Sequence, residues 1–295
     1  MAEMETIPLK IGEIGSATPF DRDAIAEIFG EIALQAAVAV MRVYASDCKP
    51  RHKADKSPVC DADEQAEAII LEGLAKRLPG IPVLAEEASA RGKQPVCGSA
   101  FILVDPVDGT LEFLSRNGEF TINIALIVDG EPRAGVVYAP ALGRLWIAGV
   151  TASACTIAPG NPLPPPDRRE SIHVRAAPAK GLIALASRSH SNPETEAFLA
   201  SLPISERRTA GSSLKFCRVA EGEADVYPRF GQTMEWDTGA GDAILRAAGG
   251  IVLDAKHHPL QYGKAQAKFK NGPFVAWGDP AAIAAQGSAE QNCYP

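Results

Sequence analysis

"LVDPVDGTLE", residues 103–112, closes an apolar run with two carboxylates, Asp105 and Asp108, set around Pro106 and followed by Gly109 and Thr110. Aspartate, proline and glycine all break regular structure, so an ordinary turn would use the same residues. What sets this one apart is its place after the strand-like AFILVD, because open α/β sheets collect ligand sites at the carboxyl ends of their strands. Pro106 stiffens the turn so that Asp105 and Asp108 face one volume, and the Val107 carbonyl, freed from a ladder, becomes a further oxygen donor. Gly109 lets the backbone approach a ligand, and its amide together with that of Thr110 can open a helix, an arrangement that attracts phosphate.

Working outward, Asp21 caps a predicted helix that runs to about Tyr44, behind a dispensable arm over residues 1–20. A second helix is read in DADEQAEAIILEGLAKRL, with Asp61 and Glu64 in capping-box spacing and Pro79-Gly80 stopping it. Two buried strands follow, IPVLAEE and AFILVD, joined by the polar loop ASARGKQPVCG. Asp129-Gly130 splits EFTINIALIVDGEPRAGVVYAP into a hairpin, and GRLWIAGV supplies a third strand. The proline-dense APGNPLPPPDRRE then marks a boundary between an N-terminal half, 21–157, and a C-terminal half, 169–295, that completes the site. Beyond it LIALAS and ADVYPRF read as strands, while NPETEAFLASL, SSLKFCRVAEGE and DTGAGDAILRAAGG read as helices. This alternation predicts an α/β fold of layered α+β type, with helices stacked on sheets.

Composition narrows the function. A chain of 295 residues, 46% hydrophobic and 22% charged, can bury a sizeable core. Its formal charge of −7 argues against binding a nucleic-acid polymer, so any anionic ligand is held locally. Cys48, Cys60, Cys97, Cys155, Cys217 and Cys293 form no CxxC pair and follow no secretory leader, which predicts reduced thiols and a cytoplasmic location, with peripheral attachment to an inner membrane left open. EIALQAAVAVMRVY is too short to span a bilayer and is read as a buried helix, so no transmembrane segment is expected.

The acids recur where local structure ends: Asp63 near a helix start, Glu86 and Glu87 after one strand, Asp105 and Asp108 after the next, and Asp237 opening a late helix. Clustered carboxylates without histidine or thiolate partners suit a hard divalent cation, Mg²⁺ rather than Zn²⁺.

DPVDGT, the upstream AEE and the downstream EWDTGAGDAILRAAGG together resemble the lithium-sensitive, magnesium-dependent phosphatase superfamily of inositol monophosphatases, over about Asp21 to Asp279. RNGEFTINIAL, SRSH, GSSLKFCRVAEGEADVYPRFG and WDTGAGDA are similar to its 3'(2'),5'-bisphosphate nucleotidase branch. The resemblance implies an αβαβα sandwich of the inositol monophosphatase and fructose bisphosphatase kind, and a role in sulfur assimilation. It implies that Glu86, Asp105, the Val107 carbonyl, Asp108 and Asp237 hold two or three Mg²⁺ ions, with Asp105 bridging two. Thr110 paired with Asp63 would activate water; Asp61 is the competing acid. Gly109, Thr110, Ser213, Lys215, Arg229 and Asp237 would contact substrate, and His190 in SRSH is read as a structural or base-contacting histidine, with a catalytic role as the alternative. The protein is expected to be a monomer or a homodimer.

One departure is informative. Where inositol monophosphatases carry a glutamate that accepts inositol hydroxyls, this chain has Arg229 in YPRFG, and a guanidinium has no acceptor. It can instead bind a second phosphate or stack on a base, with Lys215 as a second cation. The expected substrate is therefore a small phosphorylated nucleotide, adenosine 3',5'-bisphosphate or its phosphosulfate form, losing its 3'-phosphate to metal-activated water. The rivals are an inositol or other sugar-phosphate phosphatase of the same superfamily, and a non-catalytic nucleotide or metal sensor.

Overall fold

The computed structural model describes residues 20–46, 51–52, 58–187 and 192–284. All of the predicted N-terminal arm except Phe20 lies outside them, as do His190 and the last eleven residues.

The chain opens with α1 (Arg22–Tyr44), capped by Asp21, whose side chain accepts the Ala24 amide. At 23 residues α1 is long and apolar enough to cross a membrane, contrary to the sequence estimate, yet its apolar face is buried in the protein. The short pair β1 (Arg51–His52) and β2 (Pro58–Val59) leads to α2 (Asp61–Arg77). The capping box of α2 is shifted by one residue from the predicted pairing: Cys60 is the N-cap and Asp63, not Glu64, reaches back to its amide at 2.9 Å.

A seven-stranded sheet follows, built of β3 (Val83–Ala85), β4 (Ala100–Asp108), β5 (Thr121–Val128), β6 (Glu131–Ala139), β7 (Arg144–Ala148), β8 (Ala152–Thr156) and β9 (Glu170–Ser171), in that spatial order. Two short helices interrupt it, α3 (Glu86–Ala90) directly after β3 and α4 (Thr110–Leu114) directly after β4. Glu86 and Glu87, read from sequence as the end of the strand IPVLAEE, and residues 88–90, read as the start of the following loop, thus form a helix. β3 and β4 are parallel and the remaining neighbours antiparallel. The proline-dense stretch expected to separate two halves ends in β9, which joins this first sheet.

The second half supplies β10 (Leu182–Ser187), α5 (Pro193–Ala200), β11 (Ile204–Ala210), α6 (Leu214–Ala220), β12 (Val226–Arg229), β13 (Thr233–Met234), α7 (Glu235–Ala247), β14 (Ile251–Asp254), β15 (Lys270–Asn271), β16 (Phe274–Trp277) and α8 (Ala281–Ala284). Five of these strands form a sheet ordered β11-β10-β12-β16-β14, and β13 pairs with β15 beside it. β11, ISERRTA, escaped the sequence reading because five consecutive polar or charged residues hide its period; it is an edge strand, where such residues discourage further pairing.

Three apolar cores fix the layering. α1 and α2 pack Phe29, Ile32 and Ile70 on one face of the first sheet. Its other face, Leu103 and Ile127 among others, meets Phe216 of α6 and Ile244 of α7, which in turn cover Tyr227 and Phe274 of the second sheet. Phe198 and Leu199 of α5 cover that sheet's far side. The order is helix, sheet, helix, sheet, helix: the αβαβα sandwich. Burying each such side chain contributes about 1.5–3 kcal/mol, which is why a sheet with two apolar faces needs a helix on both.

Candidate active site

The decisive local feature is that DPVD does not leave the sheet. Asp105 pairs with Asn123 and Asp108 with Thr121, so two residues of β4, Pro106 and Val107, stand opposite the single Ile122 of β5. This is a β-bulge rather than the free turn expected from sequence. Proline has no amide to donate, so a bulge is where a strand can carry it. The bulge brings both carboxylates to one cavity, and Asp105 Oδ1 accepts the Val107 amide at 3.1 Å. Gly109 then takes φ +89°, a left-handed conformation that other residues resist, and turns the chain into α4.

That cavity, about 320 Å³, is lined by Glu86, Asp105, Val107, Asp108, Gly109, Thr110, Lys215, Arg229 and Asp237 of the predicted set. They arrive from β4, the starts of α3, α4, α6 and α7, and the end of β12. Asp237 lies in the first turn of α7, which begins at Glu235; it is not the residue preceding the helix, and its Oδ2 accepts the Met234 amide at 2.8 Å. Burial pushes the Asp105 carboxyl well above the usual carboxylate range, helped by the charges of Glu86, Asp108 and Asp237 and by a hydrogen bond with Glu86. Burial, then Asp108, pushes Asp237 up in the same way, against the pull of the Met234 amide.

The donor set fits a hard divalent cation. A carboxyl-to-carboxyl hydrogen bond needs a proton, and a cation between Asp105 and Glu86 satisfies the pair without one. No group of three His, Cys, Asp or Glu among the described residues forms a preformed metal cage. Each aspartate has one oxygen engaged by the backbone, Asp105 by Val107, Asp108 by Ser213 and Asp237 by Met234. Magnesium needs no such cage, since it keeps several waters and takes one or two carboxylates plus substrate phosphate.

Three predicted residues are placed otherwise. Asp63 is buried and does not line the cavity; Thr110 Oγ1 donates to the Val107 carbonyl at 3.5 Å and is not bonded to Asp63. Ser213 is buried behind Asp108 and does not line the cavity either. Lys215 lines it, but Nζ donates to the Ala210 and Ser212 carbonyls at 3.2 and 2.6 Å and sits 5.1 Å from the centre of the Tyr227 ring. Burial pushes this ammonium down to about 8.

Arg229 differs from Lys215. Its Nε is buried without a hydrogen-bond partner, and no ion pair or hydrogen bond holds the guanidinium among the described residues. Sequence reading missed Ser212, Thr121 and Asn123, whose side chains converge on Asp108. Only GSS and FTIN, the stretches carrying them, hinted at it, because isolated hydroxyl and amide residues carry no periodic signal.

The family model for the inositol monophosphatase family matches residues 21–288. The 3'(2'),5'-bisphosphate nucleotidase CysQ of Escherichia coli O157:H7 is 42% identical over 238 residues, 79% of this chain and 91% of that protein. The crystal structure of CysQ from Bacteroides thetaiotaomicron superposes with a TM-score of 0.73 at 39% identity, covering 88% of this chain and 98% of that one. An inositol monophosphatase from Zymomonas mobilis shares the fold alone, with a TM-score of 0.71 at 24% identity over 90% of this chain and 97% of that one.

Proposed function

The chain belongs to the inositol monophosphatase family, and from that membership we propose that it is a magnesium-dependent 3'(2'),5'-bisphosphate nucleotidase. Its substrate is adenosine 3',5'-bisphosphate or the corresponding phosphosulfate, and it releases the 3'-phosphate. The observation that carries the bisphosphate reading is Arg229, a cavity-lining guanidinium with a buried, unpartnered Nε beside a group of acids. An unpaired buried donor is costly, and an anionic group of the ligand offsets that cost with a charge-assisted bond.

Glu86, Asp105, the Val107 carbonyl, Asp108 and Asp237 would hold the Mg²⁺, two or three ions in number. When bound, such ions supply positive charge that offsets the phosphate and polarises the attacking water. Thr110, which lines the cavity, would orient that water, whereas Asp63 is buried away from the cavity and unbonded to Thr110 and so has no part in the step as the site stands; the amides of Gly109 and Thr110 would donate to the scissile phosphate. Attack is by water and not by the protein: Cys217, on α6, is fully buried, and burial pushes its thiol well up, leaving no thiolate nucleophile. Phosphate monoesters need rate enhancements up to about 10²¹-fold, which charge neutralisation is best suited to supply.

The test is phosphate release with Mg²⁺ from the bisphosphate nucleotide, inositol 1-phosphate and fructose 1,6-bisphosphate. The nucleotide is expected to show the highest kcat/KM; a preference for inositol 1-phosphate would overturn the assignment.

A further inference from the structure

Ser213 occupies the N-cap position of α6 and makes no capping hydrogen bond to its own helix. A serine there ordinarily accepts from the second or third helical amide, so its hydroxyl has been diverted. It points into the protein and meets the Asp108 carboxylate and the backbone carbonyl of Asp237. Ser213 Oγ lies 2.8 Å from Asp108 Oδ2 and 2.9 Å from the Asp237 carbonyl, and it accepts from Asn123 Nδ2 at 2.9 Å. The Ser213 amide donates to the same Asp108 oxygen at 2.7 Å. One buried side chain thus joins the end of β4, the β5 strand and the first turn of α7.

Asp108 Oδ2 is saturated by this arrangement. Besides Ser213 it accepts from Ser212 Oγ at 2.5 Å, Asn123 Nδ2 at 3.3 Å and Thr121 Oγ1 at 3.4 Å. So many donors on one oxygen fix the direction in which its other oxygen points. Ser213 is 1% exposed and does not line the cavity, so a ligand there does not reach it.

We propose that Ser213 is a positioning residue that holds Asp108 and Asp237 at a fixed spacing and so sets the affinity of the site for a divalent cation, without contacting substrate. This rests on the reading of Asp108 and Asp237 as metal ligands. Outer-shell partners of that kind typically change metal affinity by about 10- to 100-fold when removed.

The experiment is calorimetric titration of Mg²⁺ into the whole protein, with nucleotide KM measured at saturating Mg²⁺. Ser213→Ala is expected to raise the Mg²⁺ Kd at least about tenfold and leave KM within about twofold of the parent value, and Ser213→Thr, which keeps the hydroxyl, is expected to recover the affinity. An unchanged Kd with a raised KM would overturn the proposal and make Ser213 a substrate contact. Absence of Mg²⁺ binding by the unaltered protein would instead overturn the ligand reading, and this inference with it. Thermal melting in chelator checks that each variant folds. Should Ser213→Ala not fold, Asn123→Ala, which removes the donor to Ser213 Oγ, carries the same test: its Kd must rise, and an unchanged value sinks the idea.

Discussion

Asp105 is wholly buried among Glu86, Asp108 and Asp237, and each of those neighbours makes its charge harder to bear. Removing that charge relieves repulsion in the protein but takes away a proposed cation ligand. Asp105→Asn should therefore lower kcat by at least about 10³-fold, a loss of about 4 kcal/mol of transition-state stabilisation, while its melting temperature in chelator equals or exceeds that of the parent. Substantial activity, or a fall in chelator melting temperature, would remove Asp105 from this role. Arg229 poses the opposite case, a cation with no hydrogen-bond or ion-pair partner among the described residues. Arg229→Glu should reduce kcat/KM for the 3',5'-bisphosphate at least about tenfold more than for a simple monophosphate, since a charge-assisted bond contributes about 1.5–3 kcal/mol. Equal losses on both substrates would mean that it reads no second phosphate.

α3 is only five residues long, and it carries Glu86 into the cavity. Nothing in so short a helix fixes its own position. Glu67 of α2 does so instead: Oε2 accepts the Glu87 amide at 2.7 Å and Oε1 meets Arg91 at 2.8 Å, at the two ends of α3. Burial pushes the Glu67 carboxyl up, only partly opposed by the Ala88 and Glu87 amides and by Arg91. The sign follows. A folded-state value above the unfolded value of about 4.3 means that folding favours the protonated acid, so stability from this group is present at low pH and lost as pH rises. Glu67→Gln cannot titrate, so the variant's melting temperature relative to the parent should climb as pH is raised from about 4 to about 8. A pH-independent difference would show that Glu67 is not strained in this way.

The middle core draws Leu103 and Ile127 of the first sheet, Phe216 and Ile244 of the central helices and Phe274 of the second sheet into one cluster. Phe216 stacks on Phe274 at 5.7 Å and meets Tyr227 edge-on at 5.2 Å. We expect the two halves of the chain to unfold together. Phe216→Ala should cost about 3–5 kcal/mol and shift one cooperative transition detected by both tryptophan fluorescence and far-ultraviolet dichroism. Two separated transitions would indicate halves that fold independently. Metal couples to the same equilibrium. Mg²⁺ at a hundredfold excess over its Kd should stabilise the protein by about 2.7 kcal/mol, seen as a melting-temperature rise that chelator reverses and Asp105→Asn abolishes.

Much of this was legible in the chain itself. The α1 and α2 helices, the strands around AFILVD and the Asp129-Gly130 hairpin announce themselves by periodicity and turn chemistry, because each is decided by neighbours close in sequence. The order of acids after strands and helix starts likewise pointed to a cation and a phosphate. Folding alone decided the rest. Whether DPVD bends away as a turn or stays in the sheet as a bulge depends on β5, which lies beyond it in the chain. Whether Ser213 caps a helix or holds Asp108, and whether Lys215 faces a ligand or its own backbone, depends on groups roughly a hundred residues away or on how one loop closes. Local preference has nothing to say about a hydrogen bond whose partner arrives only when the layers close.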